Sequence, residues 1–285
     1  MNLINPLPSD AFYLYHYTST ETAMKYILPT GTLMFNPFSK VNDPRECKQW
    51  DISPFVPMDW KLDLEGYDTI AKQVSDILKS NAKLLCFCRD KDEARGKWQP
   101  RALLDRGFAR PSMWHHYGNA YDGICFMFDR RRLDSAFKKE LDSTRLISGA
   151  VSYSDEGIVP NPGNDPFVID MTRVRNMDDY IHSIVAHHAQ WLSKLFLQKL
   201  TDWEKECEYR WIYFDRNSGP LFVNFGSALE AIVIGERVSK TLSEDFYRFG
   251  ARYEADVANL NWRNGFPTLE FFTQPYVTHR HLLDK

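Results

Sequence analysis

At 285 residues, with 44% hydrophobic and 26% charged side chains, the chain can bury a sizeable core, and its length leaves one large or two small domains open. No run is apolar enough to span a bilayer and Met1 to Asp10 lacks a signal-peptide pattern, so a soluble, cytoplasmic protein without membrane contact is expected. A net charge of −3 excludes a general attraction to nucleic acid, and five scattered cysteines (Cys47, Cys86, Cys88, Cys125, Cys207) point to reduced thiols rather than a disulfide framework.

Phe12 to Tyr17 is aromatic and β-prone; Ser19 or Thr20 can cap a helix that runs through Ile27 and is closed by Gly31. Thr32 to Phe35 predicts a second short strand, running into the turn residues Asn42, Asp43 and Pro44. Ile70, Val74, Ile77 and Leu78 recur at helical spacing, and Leu84 to Cys88 predicts a buried strand. Between Arg89 and Arg110 lies a charged insert with seven basic and four acidic residues.

Trp114 to Tyr117 predicts a short helix before a strand over Gly123 to Phe128, a helix over Arg130 to Leu141 and a strand within Leu146 to Tyr153. Residues from Ser154 to about 172 have the composition of an exposed loop. The longest helix is expected from Asp178 to Leu200, with Ile181, Ile184, Val185, Leu192, Leu195 and Phe196 on its buried stripe. Strands at Tyr209 to Phe214, Leu221 to Phe225 and Ala231 to Ile234 and a last helix at Ser243 to Phe249 complete the pattern. Nothing divides the chain, so residues 1–285 are expected to form one α+β domain with two insertions, the charged segment 89–110 and the loop 154–172.

Three constellations can carry chemistry. His16 and Thr18 share one side of the first strand, where an imidazole and a hydroxyl can bind a ribose or a phosphate-linked ligand; the alternative is a helix cap beside a core histidine. Glu204, Glu206 and Glu208 alternate at a strand entry, which would place Glu206 and Glu208 on one face and Arg210 on the other. Carboxylates that close require a cationic partner or a raised pKa, and the alternative is a solvated acidic edge. Cys86-Phe87-Cys88 lacks the second ligand pair that zinc needs, and the adjacent pairs His115-His116 and His187-His188 do not supply it, so no metal is expected and the thiols read as core. The arginines of the insert and Arg130 to Arg132 can contact phosphates, with Trp98 available to stack, or can form solvated loops. No phosphate-cradling glycine loop is present.

Read in order, His16-Tyr17-Thr18, Gly31-Thr32-Leu33 with Phe35, Asn42-Asp43-Pro44 with Glu46, Cys86-Phe87-Cys88, Trp114 with His116-Tyr117-Gly118, Gly123-Ile124-Cys125 and Glu206-Cys207-Glu208-Tyr209-Arg210 resemble a widespread bacterial family catalogued only as a domain of unknown function. A looser resemblance, in the order His-x-Thr strand, central strand, aromatic helix, strand and late Glu-x-Glu, is to the ADP-ribosyltransferase superfamily. That second resemblance implies a split, mixed β-sheet core with packed helices around an NAD cleft. By position, His16 and Thr18 would hold the adenosine-side ribose and the nicotinamide region, and Tyr17 would be structural. Cys88 would lie on the central strand where serine or threonine is usual, and Tyr117 would stack on nicotinamide. Glu208 would be the catalytic glutamate and Glu206 the residue that activates or selects the acceptor. The implied activity is NAD-dependent ADP-ribosyl transfer to RNA or DNA, alternatively to protein, in a toxin or phage-defence setting with a neutralising partner protein. An NAD glycohydrolase and a non-enzymatic nucleotide- or partner-binding module are the alternatives.

Overall fold

The computed structural model describes residues 12–41, 43, 46, 48, 50–55, 64–91, 100–157, 165–170, 191–215, 217 and 219–271. β1 (Tyr13–Ser19) leads into a helical run over 20–30 (α1), whose N-terminus is capped by the Ser19 hydroxyl accepting from the Thr22 N–H at 3.1 Å. Gly31, at φ +70°, closes that run in the left-handed conformation a side chain resists. There follow β2 (Thr32–Pro37), a 3₁₀ turn at Phe38–Lys40, β3 (Ser53–Phe55), α2 (Leu64–Ser80) and β4 (Ala82–Arg89). Next come α3 (Pro111–His116), β5 (Gly123–Asp129), α4 (Arg130–Glu140), β6 (Leu146–Ala150), β7 (Ser152–Tyr153) and β8 (Val168–Asp170). The remainder is α5 (Leu192–Phe196), β9 (Gln198–Lys199), a 3₁₀ segment at Thr201–Glu206, β10 (Glu208–Phe214), β11 (Leu221–Asn224), β12 (Leu229–Ile234), α6 (Ser243–Tyr253), β13 (Asp256–Arg263) and β14 (Phe266–Phe271).

The chain is a mixed α+β protein built on a ten-stranded sheet in the order β11-β2-β4-β1-β5-β12-β13-β14, with β10 and then β6 joining through β4. Only the β12–β13 pair in that sheet is parallel. Both faces are covered. Leu33, Phe35, Phe87, Phe128, Leu133, Phe137, Trp211 and Phe246 form the largest core with α1, α4 and α6. On the opposite face, Val74 and Leu78 of α2 and Leu192, Leu195 and Phe196 of α5 pack against Leu84, Ile212 and Phe214, while Trp114 of α3 packs with Tyr15, Tyr17 and Cys88. Alternation of side chains along β1, β4 and β10 divides these cores between the faces.

A fork in this sheet makes the site. β4 pairs with β10 along its length, Glu208 opposite Cys88 through Phe214 opposite Ala82. Its other edge is shared: β2 takes Lys83 and Leu84, and β1 takes Cys88 and Arg89. β1 itself pairs with β5 from Tyr13 through Ser19, so it leaves β4 after Tyr15 and the two strands diverge.

Several predicted elements shift. Only Leu192–Phe196 of the long helix expected over Asp178 to Leu200 is helical among the described residues, and the chain turns at Leu197 into β9; Ile181, Ile184 and Val185 lie outside the described residues. Leu146 to Tyr153 divides into β6 and β7, and the expected loop ends in β8, which pairs in parallel with β3. The insert's Arg106 and Arg110 are buried rather than solvated: Arg106 pairs with Asp90, and Arg110 donates to the carbonyls of Lys205 and Arg89. Residues 92–99 of that insert, including Trp98, lie outside the described residues, as do Asn42, Pro44, His187 and His188. Among the described residues no helix is long and apolar enough to cross a membrane.

Candidate functional site

The fork opens into a cleft of about 470 Å³, lined by strands β1, β2, β4 and β10, the turn after β2, α3 and the 3₁₀ segment before β10. That volume falls in the range of small-molecule sites. His16 stands where β1 leaves β4. Its Nδ1 lies 3.1 Å from the carbonyl oxygen of Cys86, a residue between the β2-paired and β1-paired stretches of β4. Because a carbonyl only accepts, Nδ1 carries the proton and Nε2 is left as an acceptor in the neutral ring. Burial lowers the His16 pKa, outweighing that hydrogen bond, so the imidazole is uncharged at neutral pH.

At the cleft's other side a chain of charges is ordered by β10. Glu208 and Arg210 are two residues apart on one strand and so share a face, correcting the expectation that Arg210 points away. Arg210 Nε donates to Glu208 Oε1 at 2.7 Å and Nη2 to Oε2 at 3.0 Å. The same guanidinium forks onto both carboxylate oxygens of Glu46 and donates to the Phe196 carbonyl at 2.9 Å. Opposite these side chains β4 carries Cys88 and Cys86, whose small thiols leave room above the strand for a carboxylate and a guanidinium.

Glu206 does not extend the strand. It ends the 3₁₀ segment, and Cys207 then adopts a left-handed φ of +46° that swings the chain into β10. Both carboxylates nevertheless reach Lys199 of β9, whose Nζ is 2.7 Å from Glu206 Oε2 and 3.2 Å from Glu208 Oε2. The other oxygen of Glu206 accepts from the Tyr117 hydroxyl at 2.7 Å. Tyr153 fixes the start of β10 by accepting from the Glu208 N–H at 2.8 Å.

Burial alone would raise Glu208, but Arg210 and Lys199 overcome it and hold its pKa at about 2. For Glu46 burial prevails over Arg210 and the pKa is raised. Burial, joined by Glu208, lifts the Cys86 thiol well above its usual value, and burial together with Glu206 raises the Tyr117 phenol. Both stay protonated at neutral pH. The site is thus an ionised carboxylate, held by two cations and flanked by neutral donors.

Of the residues singled out in the sequence, His16, Tyr17, Cys88, Tyr117, Glu206 and Glu208 line this cleft. Thr18 is buried and is not among the lining residues. The Tyr17 ring turns away, its hydroxyl donating to the Gly107 carbonyl and its edge meeting Trp114 at 5.1 Å. Tyr117 offers its hydroxyl to Glu206. Lys199, Arg210 and Glu46 were missed as site residues. Period-two alternation would have placed Arg210 beside Glu208, whereas Lys199 fell within an expected helix and Glu46 in a turn motif, with no signal linking either to β10. The four described cysteines are all free thiols. Among the described residues no group of three or more His, Cys, Asp and Glu is placed to hold a metal ion.

No curated protein and no solved structure matches this chain. Residues 113–211, which run from α3 into β10 and carry Tyr117, Lys199, Glu206, Glu208 and Arg210, match the model of the family described as "Protein of unknown function (DUF2971)", so this segment is similar to that family.

Proposed function

We propose that this protein transfers ADP-ribose from NAD to a macromolecular acceptor. The observation that carries the reading is the convergence of His16, Cys86 to Cys88, Tyr117, Glu206 and Glu208, far apart in sequence, on one cleft at a fork in the sheet. Cleavage of the bond between nicotinamide and ribose develops positive charge on the sugar, and an ionised carboxylate facing it stabilises the transition state. Glu208 is held ionised for that role.

Glu208 must free an oxygen to accept from a ribose hydroxyl. Lys199 already bonds Glu206 more closely than Glu208, at 2.7 against 3.2 Å, so a small shift of its ammonium toward Glu206 frees one acceptor position on Glu208 Oε2 while Arg210 Nη2 keeps the other. The nicotinamide leaves with the electron pair of the broken C–N bond, the acceptor nucleophile forms the new bond to the same carbon, and its proton passes to Glu206. In this reading His16, whose Nδ1 is held by the Cys86 carbonyl, accepts through Nε2 from a ribose hydroxyl or the carboxamide of the donor.

The expected acceptor is RNA or DNA ahead of protein, and a toxin or phage-defence role with a neutralising partner belongs to the same reading. Release of nicotinamide from NAD by the purified protein, lost by about a hundredfold or more in Glu208→Gln, tests it; an unchanged rate in that variant rejects it. One observation favours a second reading: both oxygens of Glu208 are engaged by Arg210 and Lys199, as in a binding module whose charge cluster is structural. That module would bind its ligand with no nicotinamide release.

A further inference from the structure

The charges lining the cleft are unevenly placed. Glu46, Glu206 and Glu208 face only Lys199 and Arg210, and those two cations are committed to the three carboxylates by contacts of 3.2 Å or less. This end carries a net negative charge and repels a phosphate. The β2 end differs. There Lys40 closes the 3₁₀ turn, is exposed, and lines the cleft beside Asn36 and Pro37. Among the described residues it is the lining cation that has no carboxylate partner. The turn holding it is anchored from below by Phe38, fully buried against Phe196 at 5.0 Å between ring centroids. Asp43, the nearby acid on the lining, is buried and already engaged.

We propose that Lys40 is the diphosphate-binding residue of the cleft, so that a nucleoside diphosphate or dinucleotide lies with its phosphates at the β2 end and its uncharged or cationic portion at Glu206 and Glu208. This assignment rests on the NAD reading for the orientation of the donor, but the phosphate contact stands on the charge distribution itself. An ammonium at the open mouth provides a point charge on a flexible stem, suited to a diphosphate that is not held in one bidentate geometry. It also sets the donor's direction, since the reverse orientation would place two phosphate charges at the end where three carboxylates outnumber two cations already paired with them.

Calorimetric titration of the full chain with ADP-ribose, ADP and adenosine, for wild type, Lys40→Ala and Lys40→Arg, tests the assignment. Lys40→Ala is expected to weaken ADP-ribose and ADP by about tenfold or more, to leave adenosine unchanged, and to be rescued by Lys40→Arg. Equal affinity of wild type and Lys40→Ala for ADP overturns the proposal, as does a parallel loss for adenosine or failure of wild type to bind either diphosphate. Nicotinamide release from NAD, measured alongside, separates the two claims. Lys40-dependent binding of ADP without release retains the phosphate site and rejects the transferase, whereas release with a KM indifferent to Lys40 does the reverse.

Discussion

Arg210 carries more of this site than any other side chain, because one guanidinium satisfies two buried carboxylates at once. Glu46 is 3% and Glu208 4% exposed, and neither can be left unpaired cheaply. Arg210→Met is therefore expected to cost about 3–5 kcal/mol of folding stability, read as a fall in the urea midpoint. A loss below about 1 kcal/mol would show that the cluster is hydrated rather than buried. Tyr117→Phe is different in kind: it removes one hydrogen bond to Glu206 at the edge of the cleft. It should cost about 1 kcal/mol or less in stability while reducing turnover of NAD, and a stability loss equal to that of Arg210→Met would contradict this division. That Glu206 and Glu208 come close together was legible in their spacing, and both reach Lys199. The manner of their pairing was not, since it depends on Lys199, which reaches them only because the chain leaves α5 at Leu197 and extends as β9.

Elements rather than single residues set the position of Glu46. Lys79, near the end of α2, sends its ammonium under the segment that follows β2, donating to the Glu46 carbonyl at 2.6 Å and to the Lys48 carbonyl, 4.1 Å from the Trp50 ring centroid. Lys79→Met removes these bonds and the cation from the ring, with an expected loss of about 2–3 kcal/mol and weaker substrate turnover through a displaced Glu46. Full stability with normal kinetics would detach α2 from the site. After α3 the backbone takes three successive left-handed residues, Asn119, Ala120 and Tyr121, at φ of 47°, 51° and 71°. A β-carbon is disfavoured there, so Ala120→Gly should raise stability by roughly 0.5–1 kcal/mol, measured at unchanged denaturant dependence. Strongly patterned elements such as β1, β4, β5, α4 and β10 were legible because burial on one or both sides leaves a period of two or an unbroken apolar run. The β13–β14 hairpin lies beyond the elements the sequence predicts, although its turn at Asn264-Gly265, with φ of 52° and 80°, is the residue pair that such turns favour. The fork could not be read at all, because it arises from two different strands sharing one edge of β4, a long-range pairing with no local signature.

For the whole molecule, the same cluster is expected to make stability depend on acid pH. Glu208 titrates near pH 2 in the fold, below the ordinary glutamate value of about 4.3. Its contribution to stability is therefore complete above that ordinary value and is lost as pH falls toward 2. Asp215, held low by Lys83 although burial opposes it, adds in the same direction, whereas Glu46, raised by burial, opposes it. Urea unfolding between pH 6 and pH 2.5 should thus show stability falling below about pH 4.3, with a shallower fall in Glu208→Gln; identical slopes in the two proteins would remove Glu208 from the linkage. In the proposed reaction this same carboxylate stands at the reacting end of the donor, so transfer depends on it. Incubation of wild type and Glu208→Gln with NAD labelled in the adenylate portion, against separate pools of RNA, DNA and protein, tests this dependence. Label entering one pool with wild type and absent with the variant is the predicted result. No label in any pool and no nicotinamide released, from folded wild-type protein free of any partner, would contradict it.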